Sequence, residues 1–407
     1  MFNIRHLFIM SKSRDLFLDN HWAKYPETPR GALKFGRIYQ MRFGNYNLSD
    51  WTPIDSGDFK GSDILSDGDI VAILPAAKFV LIAPNLTNKT CFYKLEDDPW
   101  TNKKNWYEFQ NHVRQFFKDK RFLEVKTPTL VKCPGTEPSI EIFETNLIIG
   151  QRTEKYFLPT SPEISLKKLL ASGADRIFEI ASVFRNGEKT ERHHFEFTML
   201  EWYRTYTNLS TIKHDLIEMV EYLSDQIKVS RPKEILSYSV QELFKKYCDF
   251  DLKPATSIEE LKKLAEKLNI DVKSATTIDD YFYLIFLEKI ENQWPQDRLV
   301  FVEKYPPYQA ALARLNSEGW ADRFEAYWNG FELANAFHEL NDPAVQRQRS
   351  EQDLVKKAQA LMSKIELDES FFKALETGMP PSSGIAVGLE RLYMAMKNIR
   401  DINQIVG

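Results

Sequence analysis

The sequence predicts an α+β fold, an antiparallel sheet flanked by helices, behind a small β-rich N-terminal domain. Three observations carry that reading. Two hairpins are written into the chain. Arg176 to Phe184 has strand composition and is followed, after about ten polar, turn-rich residues, by a second strand near Phe195. Asn329-Gly330, the strongest short hairpin signal, divides the second pair. Helical periodicity surrounds them, at Trp106, Phe109, Val113, Phe116 and Phe117 and again through residues 207–300. Residues 1–98 have a third texture, short strands separated by Gly, Asn, Asp and Ser turns.

With 407 residues, 43% of them hydrophobic and 13% aromatic, the chain can bury a large core, and it divides as residues 1–98 and 99–407. A formal charge of −4 and a pI near 6.1 argue against binding nucleic acid through bulk charge, which leaves a local basic patch as the electrostatic route. Cys91, Cys133 and Cys248 are far apart and odd in number, so the chain reads as a protein of the reducing cytoplasm without a disulfide frame or a cysteine metal site. The most apolar run, Ile70 to Ala83, is broken by Pro75 and Lys78 and is too short to span a bilayer. The first ten residues lack a signal core and a cleavage site. Met10, followed by Ser-Lys-Ser-Arg, is a candidate initiator, which an N-terminal mass beginning at Met1 would remove.

Taken in order, Gly36 to Arg42, Gly68 to Ile73 and Lys78 to Ala83 read as short strands of a small β-barrel. Its aromatic residues, interleaved with Lys and Arg, suit either base stacking or a barrel core. Glu96 to Lys104 is polar, holds a proline and reads as a linker. The helix over Trp106 to Phe117 ends before a strand at Phe122 to Val125, which Thr127-Pro128 closes. Tyr156 to Glu163 leads into a helix with Ile164, Leu166, Leu169 and Leu170 apolar; Pro162 suits its first turn, Ser161 can cap it, and Glu163 complements the dipole.

In the strand after Phe195, Glu201 and Tyr203 are two apart and share a face with Phe197 and Met199, while Arg185 stands on the neighbouring strand. An arginine fork suits phosphate and a carboxylate in the same cleft suits ammonium; taken alone, the segment reads equally as a surface hairpin with a solvated loop. Residues 207–300 show Lys- and Glu-rich helices, such as Ser257 to Leu268, and no chemistry; they read as a packing insertion. A two-residue turn at Asn329-Gly330 sets Tyr327 opposite Glu332, placing Glu325 and Glu332 on one face as diagonal neighbours. Such a pair is either solvated or bridged by a cation, and its oxygens suit magnesium shared with nucleotide phosphates. Asn335, Phe337 and Glu339 alternate with the wrong parity to join that face unless a bulge falls near Leu333-Ala334. His338 alternates away from them and reads as structural. Gly384 to Met396 is a glycine-punctuated strand followed by a helix with Arg391 in its first turn.

Together these segments resemble the class II aminoacyl-tRNA synthetases, closest to the lysyl branch. Phe184-Arg185-Asn186-Gly187-Glu188 through Arg204 resembles motif 2, the helix–strand unit ending at Thr127-Pro128 resembles motif 1, and Gly384 to Arg391 resembles motif 3. The strands near Gly36 and Gly68 resemble the OB-fold anticodon domain that precedes the catalytic domain in lysyl enzymes. The wordings FTMLEWYR, TSPE and FHEL, with Ala386 where synthetases have glycine, look more like the paralogous ligases that attach a lysine to translation elongation factor P. The resemblance covers about residues 105–405 with its motifs in order.

The resemblance implies a homodimer through motif 1 and an ATP-dependent reaction with Mg2+. It puts Arg185 on the α-phosphate and Arg391 on the γ-phosphate, as the catalytic pair, with Asn186, Glu188, His193 and Phe197 at the nucleotide and Glu325 and Glu332 at the metal. It puts Ser161 and Glu163 at the amino-acid pocket, the glutamate near the α-ammonium, with Glu201, Asn335 and Phe337 lining it and Glu339 and Tyr203 holding the side-chain ammonium. The Ala386 methyl would reshape the pocket by one carbon, worth ~1–3 kcal/mol between lysine isomers. Two departures stand out: Gly187 replaces a family glutamate, with Glu188 beside it as a substitute, and His194-Phe195 replaces the usual Asn-Pro. The implied reaction activates lysine or β-lysine as an adenylate and passes it to a lysine side chain of elongation factor P. The alternatives are tRNA as the acceptor and a weakened paralogue that only binds lysine or nucleotide.

Overall fold

The computed structural model describes five strands within residues 34–83, by their backbone, and residues 99–406 apart from 274 and 360–363. Two compact units result, residues 1–107 and 108–407. In the first, β1 (Lys34–Gln40), β2 (Tyr46–Leu48), β3 (Pro53–Ile54), β4 (Ile70–Leu74) and β5 (Lys78–Ala83) pair antiparallel in the order β3-β2-β1-β4-β5. The three strands expected there are β1, β4 and β5. Barrel closure, the OB likeness, Cys91 and the start at Met10 lie outside the described residues.

In the second unit an eight-stranded sheet runs β11-β12-β13-β14-β15-β10-β9-β6. Its members are β6 (Leu123–Glu124), β9 (Arg176–Phe184), β10 (Glu196–Thr205), β11 (Ile235–Ser239), β12 (Leu299–Tyr305), β13 (Ala321–Trp328), β14 (Phe331–His338) and β15 (Ser382–Gly388). The central pairings are antiparallel, as expected, but β11–β12 and β6–β9 at the two edges are parallel. A separate hairpin joins β7 (Glu144–Ile149) to β8 (Arg152–Phe157).

Helices pack against this sheet. Helix α1 (Pro99–Asp119) starts inside the expected linker, so that linker ends at Asp98 rather than Lys104. Its expected apolar face is the buried one: Phe109, Val113 and Phe117 are fully covered, and Phe117 stacks on Phe178 with ring centroids 4.7 Å apart and lies 5.1 Å from Trp202. Each such side chain stabilises the fold by roughly 1.5–3 kcal/mol. Helix α2 (Glu163–Ala171) packs Leu166 and Leu170 against Phe371 and Phe372 of α8 (Glu369–Gly378). Residues 207–300 hold α3 (Leu209–Gln226), α4 (Val240–Cys248), α5 (Ile258–Lys267) and α6 (Ile278–Lys289), with β11 among them. Capping boxes at Ser239/Glu242, Ser257/Glu260 and Thr277/Asp280 start the last three. Helix α7 (Pro343–Gln359) follows β14, and α9 (Leu389–Lys397) follows β15.

The β13–β14 hairpin turns at Asn329 and Gly330, both at positive φ (50° and 78°), as a type I′ turn requires. Tyr327 pairs with Glu332, but the next pair is Ala326 with Ala334, leaving Leu333 as the extra residue. That bulge sits where the parity of Glu332 and Asn335 demanded it. It sets Glu325 opposite Asn335 and lets both carboxylate sets share one face.

Candidate functional site

A cleft of about 1190 Å3 opens on one face of the sheet. One end is built for anions. The Arg185 backbone N–H closes the β9–β10 hairpin by donating to the Phe195 carbonyl at 3.0 Å. Its guanidinium lies 5.1 Å over the Phe197 ring, and Nη1 is 3.9 Å from Glu188 Oε1. Arg185 Nε is buried without a partner among the described residues. Arg391, in the first turn of α9, donates from Nη1 to the Glu332 carbonyl at 3.3 Å and lies 3.8 Å from Glu332 Oε2. Two partly exposed guanidiniums thus face the cleft, each with only one long carboxylate contact, at 3.9 and 3.8 Å, an arrangement that leaves donors for a polyphosphate.

The loop between β9 and β10 completes this end. Gly187 takes φ of 80°, and the carboxylate of Glu188, the next residue, lies 3.9 Å from Arg185 Nη1. His193 Nδ1 lies 2.9 Å from Thr190 Oγ1; burial first, then the Arg391 charge, holds the imidazole below its usual titration. His194 turns to its own strand, with Nδ1 2.7 Å from the Glu196 carbonyl. Asn186 is tied through its backbone N–H to the Glu141 carbonyl at 3.0 Å and is not among the cleft-lining residues.

Behind the arginines lie Glu332 and Glu325. Glu325 is 5% exposed and fully engaged: Oε1 accepts from Arg323 Nη2, and Oε2 accepts from the Tyr305 and Tyr327 hydroxyls at 2.6 and 2.5 Å. Arg323 spends its other donors on Asn335 Oδ1 (3.0 Å) and the Gln309 carbonyl (2.7 Å). Glu332 is more open, its exposed surface facing the cleft. Burial and the like charge of Glu325 push its carboxyl up to about 7. Glu325 has no free oxygen for a metal, so a hard divalent cation shared with phosphate oxygens would take Glu332 as its open ligand, with Glu325 adding charge from behind.

The other end is built for ammonium groups. Glu201 on β10 is 1% exposed; its Oε2 accepts from the Tyr203 hydroxyl at 3.0 Å and its Oε1 has no partner among the described residues. Glu339, just beyond β14, is fully buried, and its Oε1 likewise has none. Among the described residues Lys167 of α2 makes the ion pairs of this group: Nζ lies 2.6 Å from both Glu163 Oε1 and Glu339 Oε2. Burial, followed by the Glu163 charge, raises the Glu201 carboxyl well above the usual carboxylate range. Burial raises that of Glu339 to about 7, with Lys167 holding it down and Glu163 pushing it up. Three buried carboxylates against one ammonium leave the pocket two positive charges short when all are ionised. A molecule carrying two ammonium groups answers that deficit.

Strand β15 lets the pocket exist. A Cβ on Gly384 would lie 2.2 Å from Tyr203 Cε1 and 2.8 Å from Glu339 Oε1, so no side chain fits there. Two residues on, Ala386 pairs with Glu201 on one side and Asn335 on the other, its methyl at the junction of the two ends. Asn335, Phe337, Ser161 and Glu163 also line the cleft, and Ser161 Oγ accepts the Glu163 backbone N–H at 3.2 Å. Helix α2 begins at Glu163 with Pro162 as its N-cap, one residue later than expected. His338 stays outside the cleft lining with Nδ1 2.7 Å from Asp322 Oδ2, in keeping with a structural histidine.

Sequence reasoning missed Lys167, Arg323 and the contribution of α6. Glu163, Leu166, Lys167 and Leu170 form the buried stripe of α2, so the i, i+3, i+4, i+7 spacing placed Lys167 on the apolar face and was the available signal. Residues 207–300 do reach the chemistry, since Asp279, Asp280 and Tyr283 of α6 line the cleft.

Among described residues no helix is long and apolar enough to cross a membrane. The family model described as tRNA synthetases class II (D, K and N) matches residues 102–406. The chain is 40% identical over 298 residues, 72% of this chain and 90% of the relative, to the elongation factor P--(R)-beta-lysine ligase of Haemophilus influenzae strain PittGG. Ligases of the same name from Hamiltonella defensa (36% over 301 residues, covering 72% and 90%) and Actinobacillus succinogenes (38% over 301, covering 73% and 91%) are similar to a comparable extent.

Proposed function

The chain belongs to the class II tRNA synthetases (D, K and N), and on that premise we propose that it is an ATP-dependent, AMP-forming ligase. It activates (R)-β-lysine as an aminoacyl-adenylate and transfers it to a lysine side chain of translation elongation factor P. The observation that carries this reading is the buried pocket of Glu163, Glu201 and Glu339, two positive charges short, beside two arginines that face the same cleft. A diamino acid and a polyphosphate are the pair of ligands those two ends call for. The names of the similar ligases, and a methyl at Ala386 between Glu201 and Asn335, favour the β isomer.

In the first half-reaction a carboxylate oxygen of the amino acid attacks the α-phosphorus of ATP in line. The bond from the α-phosphorus to the bridging oxygen breaks and pyrophosphate leaves. Arg185 binds the α-phosphate, where charge grows, and the Phe197 ring beneath holds its plane fixed. Arg391 binds the far end of the polyphosphate, and the neutral His193 and Glu188 border the nucleotide. Glu163 holds the α-ammonium, Glu339 and Tyr203 with Glu201 hold the side-chain ammonium, and Lys167 fixes the carboxylates of Glu163 and Glu339. Magnesium, held by Glu332 with Glu325 behind it, would neutralise phosphate charge when bound with the nucleotide. In the second half-reaction the acceptor amine displaces AMP and forms an amide. No covalent protein nucleophile takes part.

The working form is a homodimer in the cytoplasm, joined through α1 and β6. That proposal rests on family membership and on β6 lying at the sheet edge with Leu123 64% exposed. The ligase reading is tested by lysine-dependent ATP–pyrophosphate exchange followed by intact-mass analysis of elongation factor P. Exchange with a gain of one lysyl unit supports it; absence of exchange with either lysine isomer would overturn it.

A further inference from the structure

The loop of residues 133–140, between β6 and β7, carries a carboxylate that neither end of the cleft has used. Glu137 lines the cleft. The charged and titratable groups that face it are Glu163 of α2, Arg185 at the end of β9, Lys357 and Asp353 of α7, and Cys133 of its own loop. The loop is built to present it. Gly135 has φ of 141°, and a Cβ there would lie 2.4 Å from Glu137 Oε2 and 2.7 Å from Thr160 Oγ1, so the carboxylate occupies space that only a glycine leaves. Lys357, 2% exposed, donates from Nζ to the Glu137 carbonyl at 3.1 Å and to that of Ile140, pinning the loop from beneath.

Position and charge together narrow its role. Glu163 marks the ammonium end and Arg185 the α-phosphate end, and the acyl–phosphate linkage of an adenylate must run between them. Glu137 lines the cleft that holds both and feels the charge of each. The two ammonium groups of the amino acid already satisfy the pocket of Glu163, Glu201, Glu339 and Lys167, so Glu137 is surplus to substrate binding. Burial first, then the Glu163 charge, raises its carboxyl above the ordinary range, which makes it a stronger base than a solvated carboxylate.

Resting on the ligase reading, we propose that Glu137 is the general base of the transfer step, taking the proton from the acceptor amine as it attacks the adenylate. The acceptor ammonium loses its first proton to water. The amine nitrogen then forms a C–N bond to the acyl carbon, the C–O bond to AMP breaks, and AMP leaves with its electron pair. The second proton passes from the nitrogen to the Glu137 carboxylate.

The test uses Glu137→Gln in the full chain and reads three reactions: ATP–pyrophosphate exchange with (R)-β-lysine, mass gain on elongation factor P, and hydroxamate formation with hydroxylamine, an amine already neutral at pH 7. Exchange should be unchanged, while transfer to the protein slows by about 10²- to 10⁴-fold and hydroxamate formation, which also sheds a proton from the attacking nitrogen, slows with it. Unchanged transfer overturns it. So does a rise in KM for the amino acid that matches the loss of transfer, since Glu137 would then bind substrate. Loss of exchange in both Glu137→Gln and Glu137→Asp overturns it too, because the carboxylate would serve the first half-reaction or the fold. Absence of exchange in the unmodified chain would instead remove the ligase reading itself.

Discussion

Replacing Glu339 by glutamine should give a more stable protein and a nearly inactive enzyme. Glu339 is fully buried, its Oε2 meets Lys167 Nζ at 2.6 Å and its Oε1 meets nothing among the described residues. Its carboxyl is raised from the ordinary 4.5 to about 7. An acid raised in this way imposes no cost below pH 4.5, where it is protonated folded and unfolded alike. Its cost grows as pH rises from 4.5 to about 7 and levels off above that. At about 1.4 kcal/mol per pH unit, the rise amounts to roughly 3 kcal/mol at pH 8. Glutamine copies the shape of the protonated acid and never carries the charge, and Lys167 keeps Glu163 at 2.6 Å. Thermal unfolding at pH 8 should therefore favour Glu339→Gln by up to about 3 kcal/mol, several degrees for a domain of this size, with the two proteins converging toward pH 5. Lysine-dependent exchange should fall by about 10²- to 10³-fold, because a substrate ammonium would lose its buried counter-charge. A variant no more stable than the parent at pH 8, or a difference independent of pH, would refute the charge deficit that defines this pocket.

Three further outcomes are expected. Gly384→Ala should raise KM for the amino acid and lower stability by ~1–3 kcal/mol, since the new Cβ must displace Tyr203 or Glu339; unchanged kinetics would mean the ring moves freely. Arg185→Ala should lower exchange by about 10²- to 10³-fold while circular dichroism and unfolding temperature stay near those of the parent, and parental exchange would remove Arg185 from the phosphate site. Ala386→Gly should shift preference toward ordinary α-lysine by ~1–3 kcal/mol in the ratio of kcat/KM values, and an unchanged ratio would remove the methyl as a selectivity element.

Much of this arrangement was legible in the chain because short-range rules dictate it. Asn329-Gly330 fixes the turn, the turn fixes Tyr327 opposite Glu332, and the parity of Asn335 then demands the bulge found at Leu333. Alternation along β10 likewise placed Phe197, Met199 and Glu201 in the cleft. What escaped depends on partners distant in sequence. Glu325 read as an open metal ligand because Tyr305, on β12, and the inward turn of Arg323 belong to tertiary packing. Lys167 escaped notice because one of its two partners, Glu339, follows β14, well over a hundred residues away in the chain. The parallel edge strand β11 and the cleft-lining face of α6 were hidden for the same reason, since nothing local in residues 207–300 says which surface they cover.

A single competition reaction offers both acceptors at once. The enzyme is given ATP, magnesium and either (R)-β-lysine or α-lysine, with elongation factor P and total tRNA in the same reaction; intact mass reads the factor and acid-precipitable counts read the tRNA. The account predicts a gain of one lysyl unit on the factor, faster with the β isomer, and uncharged tRNA. Charged tRNA beside an unmodified factor would contradict it and make this chain a compact synthetase.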